Sequence, residues 1–301
     1  MLTLRRVLAV GVLASAVGAG AVGCGSSNNT ASTPAATTPG AASTAAHPSS
    51  SLDVQALDYS YRISGAPHAG LIAFTFSNHG TYAHEMGISK LKPGVTLAQV
   101  KTALSAPDGE AAATKLLDNP DAEYPVPSIV GPGLSVTVTS DLGPGHYVVT
   151  CFLPGPDGMP HVAMGMIGEF TVDPSPSTDQ PPKSDGTVAL TDTGITVPAS
   201  FASGGTFAVK NTGTAEHDFS VARLKSAGTL QPYFQCVSGS FEKSTPVDQC
   251  AGTLSGGVEA LAPGATAYVT LHLASGQYGY VSTAGNGKDF MAGLHGEFTV
   301  S

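Results

Sequence analysis

Two stretches of the chain carry the same alternation of apolar and polar residues. The first runs through Leu71-Ile-Ala-Phe-Thr-Phe-Ser-Asn78, Leu134-Ser-Val-Thr-Val-Thr139 and Gly168-Glu-Phe-Thr-Val172. The second runs through Gly205-Thr-Phe-Ala-Val-Lys-Asn211, Ala265-Thr-Ala-Tyr-Val-Thr-Leu271 and Gly296-Glu-Phe-Thr-Val300. A period of two sends successive side chains to opposite faces of an extended strand, one toward a core and one toward water. Gly, Pro and Asn punctuate the alternation, so each stretch predicts several short strands joined by tight turns, the pattern of a Greek-key β-sandwich. The pentapeptide Gly-Glu-Phe-Thr-Val closes both and fixes the register of the repeat.

Residues 52–172 and 185–301 are therefore read as two copies of one all-β domain, with the polar, Pro-rich residues 173–184 as the linker between them. Each copy carries a variable insert that breaks the alternation. In the first, Thr96-Leu-Ala-Gln-Val-Lys-Thr-Ala-Leu104 places Leu97, Val100, Ala103 and Leu104 on one helical face, and Glu110 to Leu117 reads as a second short helix.

The N-terminal 51 residues fit neither pattern. Residues 1–23 have a basic start at Arg5 and Arg6, an apolar run from Val7 to Val17 and then small residues, which predicts a secretory signal peptide rather than a membrane span. Ala21-Val-Gly-Cys24 resembles the lipobox of bacterial lipoproteins, with Ala in place of the usual Leu. That resemblance implies cleavage before Cys24 and a lipid on its thiol, anchoring the exported chain to the outer face of the bacterial cell membrane. Residues 24–51 are almost wholly Gly, Ser, Asn, Thr, Ala and Pro and read as a flexible tether.

Composition agrees with two globular β-domains. The 301 residues include 37 Gly and 22 Pro, with 42% hydrophobic and only 12% charged residues, which disfavours both disorder and a helical bundle. The formal charge is -9, and becomes -11 once Arg5 and Arg6 are removed, so the mature chain repels nucleic acid phosphates and no nucleic-acid partner is expected.

The four cysteines change the picture most. Cys24 is the predicted anchor. Cys236 and Cys250 lie together in the second insert, and in an exported chain their spacing predicts a local disulfide rather than a redox or zinc motif. Cys151 is then a lone thiol in an oxidising compartment. A buried inert thiol is one explanation. Its neighbours offer another: Cys151 ends the stretch Tyr147-Val-Val-Thr-Cys151, and a loop leads to His161, Met164 and Met166 just before the last strand.

This constellation, with His84 on an earlier strand, resembles the blue-copper proteins, the cupredoxin family, across both domains. The resemblance implies two tandem cupredoxin-like Greek-key sandwiches with short helical inserts, and one type 1 copper in the first. Its ligands would be His84, Cys151, His161 and an axial Met166, with Met164 as the rival axial sulfur. Imidazole nitrogen suits Cu(II) and soft sulfur suits Cu(I), so such a set serves a centre that cycles between them. In this family the second His often turns a ring edge toward solvent and the redox partner. The loop from Cys151 to His161 looks most like the type 1 loop of copper nitrite reductases, yet Thr150 and Ser89 stand where that family places type 2 copper histidines. Phe152 likewise departs from the multicopper oxidase pattern. No enzyme activity is expected.

The second copy tests the assignment. His217 matches His84, but Ser282 stands in the place of Cys151, Asp289 near that of His161 and Leu294 at that of Met166, so the second domain is expected to be metal-free. Three functions remain open at this point: a membrane-anchored carrier of single electrons working with a redox protein partner, a copper-handling lipoprotein without such a partner, and a metal-free interaction module in which Cys151 is merely buried.

Overall fold

A computed structural model describes residues 50–301. The predicted signal peptide, Cys24 and the predicted tether up to residue 49 lie outside the described residues. Among those described, no helix is long and apolar enough to cross a membrane.

The predicted alternation becomes strands. In the first domain these are β1 (Ser51–Leu57), β2 (Ser60–Gly65), β3 (His68–Asn78), β4 (Gly87–Lys90), β5 (Ser135–Leu142), β6 (Gly145–Thr150) and β7 (Ile167–Pro176). The last strand thus continues into the Pro-rich stretch that separates the copies. In the second domain they are β8 (Thr187–Thr191), β9 (Gly194–Thr196), β10 (Gly205–Asn211), β11 (His217–Leu224), β12 (Gly252–Leu261), β13 (Thr266–Leu271), β14 (Gly276–Val281) and β15 (His295–Val300).

Pairing repeats as well. One sheet runs β2-β1-β3-β5 in the first domain and β9-β8-β10-β13 in the second, with β1–β3 and β8–β10 parallel and the other neighbours antiparallel. The facing sheet runs β4-β6-β7 in the first and β12-β11-β14-β15 in the second. Between each pair of sheets lie the inward positions, including the fully buried Phe74 and Phe76 and their counterparts Phe207 and Val209. Burying side chains of this size contributes about 1.5–3 kcal/mol each. A tyrosine before the final turn of each copy ties back to the chain four residues upstream: the Tyr147 hydroxyl donates to the Gly143 carbonyl at 2.8 Å, and Tyr278 to Ala274 at 2.9 Å.

The two domains share one sheet and are joined by isolated bridges at the other. β5 pairs antiparallel with β13, its own counterpart, with Val138 opposite Val269. On the other side, residues 126–131 take the place of the missing fourth strand of the first domain. They bridge His84 through Val130, and they pair with β12 through Pro127–Val258 and Val130–Ser255. Equivalent edges therefore meet across a pseudo-two-fold axis. The unpaired backbone groups of β5 and β13, and of residues 126–131 and β12, are thereby covered by the other copy.

The inserts are helical in both domains. α1 (Leu97–Leu104) starts at a capping box, in which Gln99 N–H donates to Thr96 Oγ1 at 3.4 Å and Thr96 N–H to Gln99 Oε1 at 2.9 Å. Val100 is buried on the predicted face, with Leu97 and Leu104 packed beside it against Val148, Val162 and Ile167. α2 (Gly109–Thr114) is shorter than the predicted 110–117, because the chain turns at Leu116 and Leu117 and Leu117 forms a bridge with Leu91.

The second insert holds a helix that the alternation did not reveal, α3 (Leu230–Lys243). Leu230, Tyr233, Phe234, Val237 and Phe241 recur every three or four residues and form its packed face. Pro232 lies in its first turn, where its missing N–H costs no hydrogen bond. Glu297 of β15 accepts from Gly228 N–H at 2.6 Å and Leu230 N–H at 2.9 Å, capping the helix start with a carboxylate. The predicted Cys236–Cys250 disulfide is present and closes α3 onto the following loop. A loop of this length contributes about 3 kcal/mol by restricting the unfolded chain. A last helix, α4 (Ala284–Met291), is interrupted by left-handed residues 285–287.

Because β13 covers the edge of β5, a chain truncated after Pro176 is expected to pair that edge with a second copy of itself. Sedimentation or size exclusion should show a concentration-dependent dimer; a strictly monomeric truncated chain would contradict the edge-closing role of the second domain.

Candidate metal centre

His84 follows β3 on the short segment bridged to Val130, Cys151 follows β6 directly, and His161 and Met166 lie on the loop that leads into β7. Backbone hydrogen bonds tie this loop to itself. His161 N–H donates to Leu153 O at 2.9 Å, Val162 N–H to Cys151 O at 2.7 Å, Met166 N–H to His161 O at 2.9 Å and Cys151 N–H to Met166 O at 3.4 Å. Three predicted ligands meet. His84 Nδ1 lies 3.1 Å from His161 Nδ1, and Cys151 Sγ lies 3.3 Å from His161 Nδ1 and 4.0 Å from His84 Nδ1. All three residues are buried, as is Met166, whose backbone bonds to both Cys151 and His161. Among the described residues this is the one group of three or more His, Cys or acidic side chains placed to hold a metal ion.

The orientation of His84 comes from a residue the sequence reading did not single out. Asp58, in the turn between β1 and β2, accepts from His84 Nε2–H at 3.3 Å and from Thr81 N–H at 2.8 Å. With the proton held on Nε2, the Nδ1 lone pair of His84 faces Cys151 and His161. Gly80 makes the approach possible, since a Cβ there would lie 2.4 Å from Asp58 Oδ1 and 2.7 Å from His84 Nε2. Asn78 fixes the same turn, its side-chain amide donating to Tyr82 O and Val130 O at 2.8 Å each and its carbonyl accepting from Gly80 N–H.

Every one of these contacts recurs in the second domain. Asp192 accepts from His217 Nε2–H at 3.2 Å, a Cβ on Gly213 would lie 2.5 Å from Asp192 Oδ1, and Asn211 donates to Ala215 O and Leu261 O. The sequence signal is Asn-x-Gly-Thr-x-x-His, present as residues 78–84 and 211–217. It marks the histidine turn in both copies, whereas the metal-binding partners exist in one.

What replaces them in the second domain is a hydrogen-bond network. His217 Nδ1 lies 2.6 Å from Asp289 Oδ2, which in turn lies 2.6 Å from Ser282 Oγ. Ser282 Oγ also lies 2.9 Å from Asp218 Oδ1, and that carboxylate accepts from Thr283 and Ala284 N–H at 2.6 and 2.7 Å. Ser282 N–H donates to Leu294 O at 2.9 Å, as Cys151 does to Met166. The positions assigned to Ser282, Asp289 and Leu294 by the repeat therefore coincide with Cys151, His161 and Met166 in space. Both nitrogens of His217 are taken by carboxylates, so this network is closed to a metal in the arrangement seen. The Ser282 hydroxyl faces carboxylates rather than the imidazole, so the trio is not a nucleophilic triad.

Electrostatics in the first domain favour an uncharged set of donors. Burial and the neighbouring His84 push His161 down to about 4, and burial lowers His84 against the opposing pull of Asp58. Burial and the charge of Glu85 raise the Cys151 thiol, against hydrogen bonds from the backbone of Glu85 and Leu153. Those backbone donors face the sulfur and would stabilise a thiolate once a cation supplied the compensating charge. Glu85 also receives the Phe152 N–H, fixing the residue after Cys151, and Asp218 does the same for Thr283 in the other copy. Two inward-facing imidazole nitrogens, a buried sulfur and a buried neighbouring thioether are the donor types that copper requires in both oxidation states. The residues fit the ion.

One expectation fails. The ring of His161 does not reach solvent: the residue is 1% exposed, and Tyr59 and Tyr82 lie over it with ring centroids at 5.1 and 6.3 Å. Its Nε2 is buried without a hydrogen-bond partner. Tyr59 is held there by a left-handed backbone (φ 65°) in the same turn that supplies Asp58. Of the methionines near these residues, Met86 and Met166 lie in the core, Met164 is half-buried and Met159 is exposed. Among the other histidines, His146 pairs with Glu169 at 2.9 Å and His68 with Ser175 at 2.8 Å, both away from the centre.

No family model and no curated protein matches the chain. Among solved structures it is similar to the dithionite-reduced auracyanin of the photosynthetic bacterium Roseiflexus castenholzii, at 28% identity over 42% of this chain and 98% of that one, with a TM-score of 0.28. It is similar to auracyanin A, a blue copper protein of Chloroflexus aurantiacus, at 18% identity over 41% and 98%, with a TM-score of 0.27. It is also similar to the Cu-containing nitrite reductase of Thermus scotoductus, at 12% identity over 83% of this chain and 61% of that one, with a TM-score of 0.23.

The network around His217 carries a prediction for stability. Asp289→Ala leaves the imidazole and the Ser282 hydroxyl without their shared acceptor and should lower stability by about 2 kcal/mol. Urea denaturation checks this, and an unchanged midpoint would show that the network does not hold the domain together.

Proposed function

We propose that the protein is a cupredoxin carrying one type 1 copper in its first domain, exported, anchored to the outer face of the cell membrane through Cys24, and working as a one-electron carrier rather than an enzyme. The observation that carries this reading is the convergence of His84 Nδ1, Cys151 Sγ and His161 Nδ1 at a buried point. Met166, buried on the same loop and bonded through its backbone to two of the three, is the axial ligand in this reading, in preference to the half-buried Met164.

Copper bound here supplies a site that gains and loses one electron with little movement of its ligands. The chain's own part is to hold that geometry. Asp58 keeps the proton of His84 on the outer nitrogen, Glu85 pins the residue after Cys151, and the fully buried surroundings exclude water. Such rigidity favours electron exchange over copper delivery, because a handling protein must release its metal and here Tyr59 and Tyr82 close the way past His161. The two tyrosine rings are then the outermost aromatic groups between the ligand and solvent. The absence of histidines at Thr150 and Ser89 leaves the centre without the second copper of a nitrite reductase. The acidic chain suits a partner with a basic docking face.

Addition of Cu(II) to the reduced metal-free protein should give one copper per chain and an intense thiolate-to-copper absorption in the visible range. Cys151→Ser should abolish the absorption, while His217→Ala in the second domain should leave it and the stoichiometry intact. Absence of both the band and stoichiometric copper would overturn the proposal, and uptake as Cu(I) alone would transfer it to copper handling.

A further inference from the structure

In the second domain both nitrogens of His217 are taken by carboxylates, yet one of that domain's segments touches both parts of the first domain that carry the proposed ligands. Asp248 lies in a short 3-10 turn, Val247–Gln249, after α3. Both of its carboxylate oxygens lie 3.0 Å from the backbone nitrogen of Ala83, the residue before His84. Four residues earlier, Ser244 ends α3 against the loop between Cys151 and His161. There a Cβ on Gly158 would come within 3.0 Å of the Ser244 carbonyl oxygen and 3.4 Å of its Cβ. The two contacts are independent, one to each ligand-bearing strand end, and both come from residues 244–248.

That segment is itself held rigidly. Val247 is buried in the main core, and the next residues lead to Cys250, whose disulfide to Cys236 ties the turn to α3. On the far side of His84, the bridge to Val130 continues into β12 of the second domain through Ser255, reinforced by Gly131 N–H to Leu254 O at 2.8 Å and Gly256 N–H to Ile129 O at 3.1 Å. The backbone of Ala83 and His84 is thus fixed by the second domain from two directions, directly by Asp248 and through residues 129–131.

We propose that the second domain is a positioning element for the copper centre of the first, and that Asp248 is the positioning residue, holding the His84 segment through the Ala83 amide. This rests on the reading of the site as a copper centre. A ligand backbone held from outside its own sandwich resists the change in coordination that accompanies a change in redox state, so its loss shifts the relative stability of the two states. The partner is part of the same chain, which explains why a metal-free copy is retained with its disulfide-closed insert turned toward the ligands.

Asp248→Ala and Asp248→Asn in the full-length mature chain test this, Asn retaining an oxygen acceptor for Ala83 without the charge. Amide exchange in the metal-free protein reports the contact itself: Ala83 N–H should exchange at least tenfold faster in Asp248→Ala and near the wild-type rate in Asp248→Asn. In the copper-loaded protein, Asp248→Ala should keep one copper per chain but shift the reduction potential and the copper hyperfine splitting in electron paramagnetic resonance, with Asp248→Asn restoring both toward wild type. Unchanged potential and splitting in Asp248→Ala would overturn the proposal, even if Ala83 exchanged faster. Equal shifts in both variants would overturn it too, because they would trace the effect to charge rather than position. If the wild-type protein takes up no copper, the functional reading fails on its own, and the Ala83 exchange rates still decide whether Asp248 holds the segment.

Discussion

A buried polar group must find a partner, and this requirement shapes both halves of the molecule. Each sandwich carries a histidine with almost no exposure, held at its outer nitrogen by an aspartate from the first hairpin turn, so that Nδ1 faces the interior. In the second domain the interior answers with Asp289 and Ser282, and the network is complete within the protein. In the first domain the same positions hold His161 and Cys151, and burial favours the uncharged form of all three inward groups, keeping a second proton off each imidazole and the proton on the thiol. Three donors facing one another satisfy a cation better than they satisfy each other. The two copies thus solve one problem in two ways, and the difference marks the first as the copy whose residues could hold a metal ion.

The pairing of the domains follows from a second constraint, the closing of sheet edges. β5 and β13 are equivalent strands that meet with Val138 opposite Val269, and residues 126–131 meet β12, the strand whose place they occupy in their own domain. Like surfaces joined about a local two-fold are what an isologous dimer would use, so the chain is built like such a dimer with its subunits fused. Fusion allows the halves to diverge. One holds the His84-Cys151-His161 group, and the other carries the longer helix α3, a disulfide and the carboxylate that reaches Ala83.

Much of this was legible in the sequence because it depends on local pattern. The period-two runs from Leu71 to Asn78 and from Gly205 to Asn211 became β3 and β10, and the matching Gly145-His-Tyr147 and Gly276-Gln-Tyr278, with the common Gly-Glu-Phe-Thr-Val, aligned the strands closely enough to place Ser282, Asp289 and Leu294 on the positions of Cys151, His161 and Met166. The disulfide followed from the local spacing of Cys236 and Cys250 in an exported chain. What escaped was tertiary. Asp58 lies 26 residues from His84, and nothing but the fold shows that its hairpin turn folds over that ring. α3 hid its helical spacing behind Pro232 and Gly239, and it is stabilised by Glu297, far away in sequence. The cover over His161 likewise depends on Tyr59 and Tyr82, which belong to two different turns and look like ordinary strand-end aromatics until they are seen together.

The proposed coordination sphere is examined most directly by X-ray absorption at the copper edge of the loaded protein. It predicts two nitrogen scatterers from imidazoles and one short sulfur scatterer, the sulfur vanishing in Cys151→Ser. A shell of nitrogen and oxygen with no short sulfur would contradict it, because copper would then be bound elsewhere than between His84, Cys151 and His161.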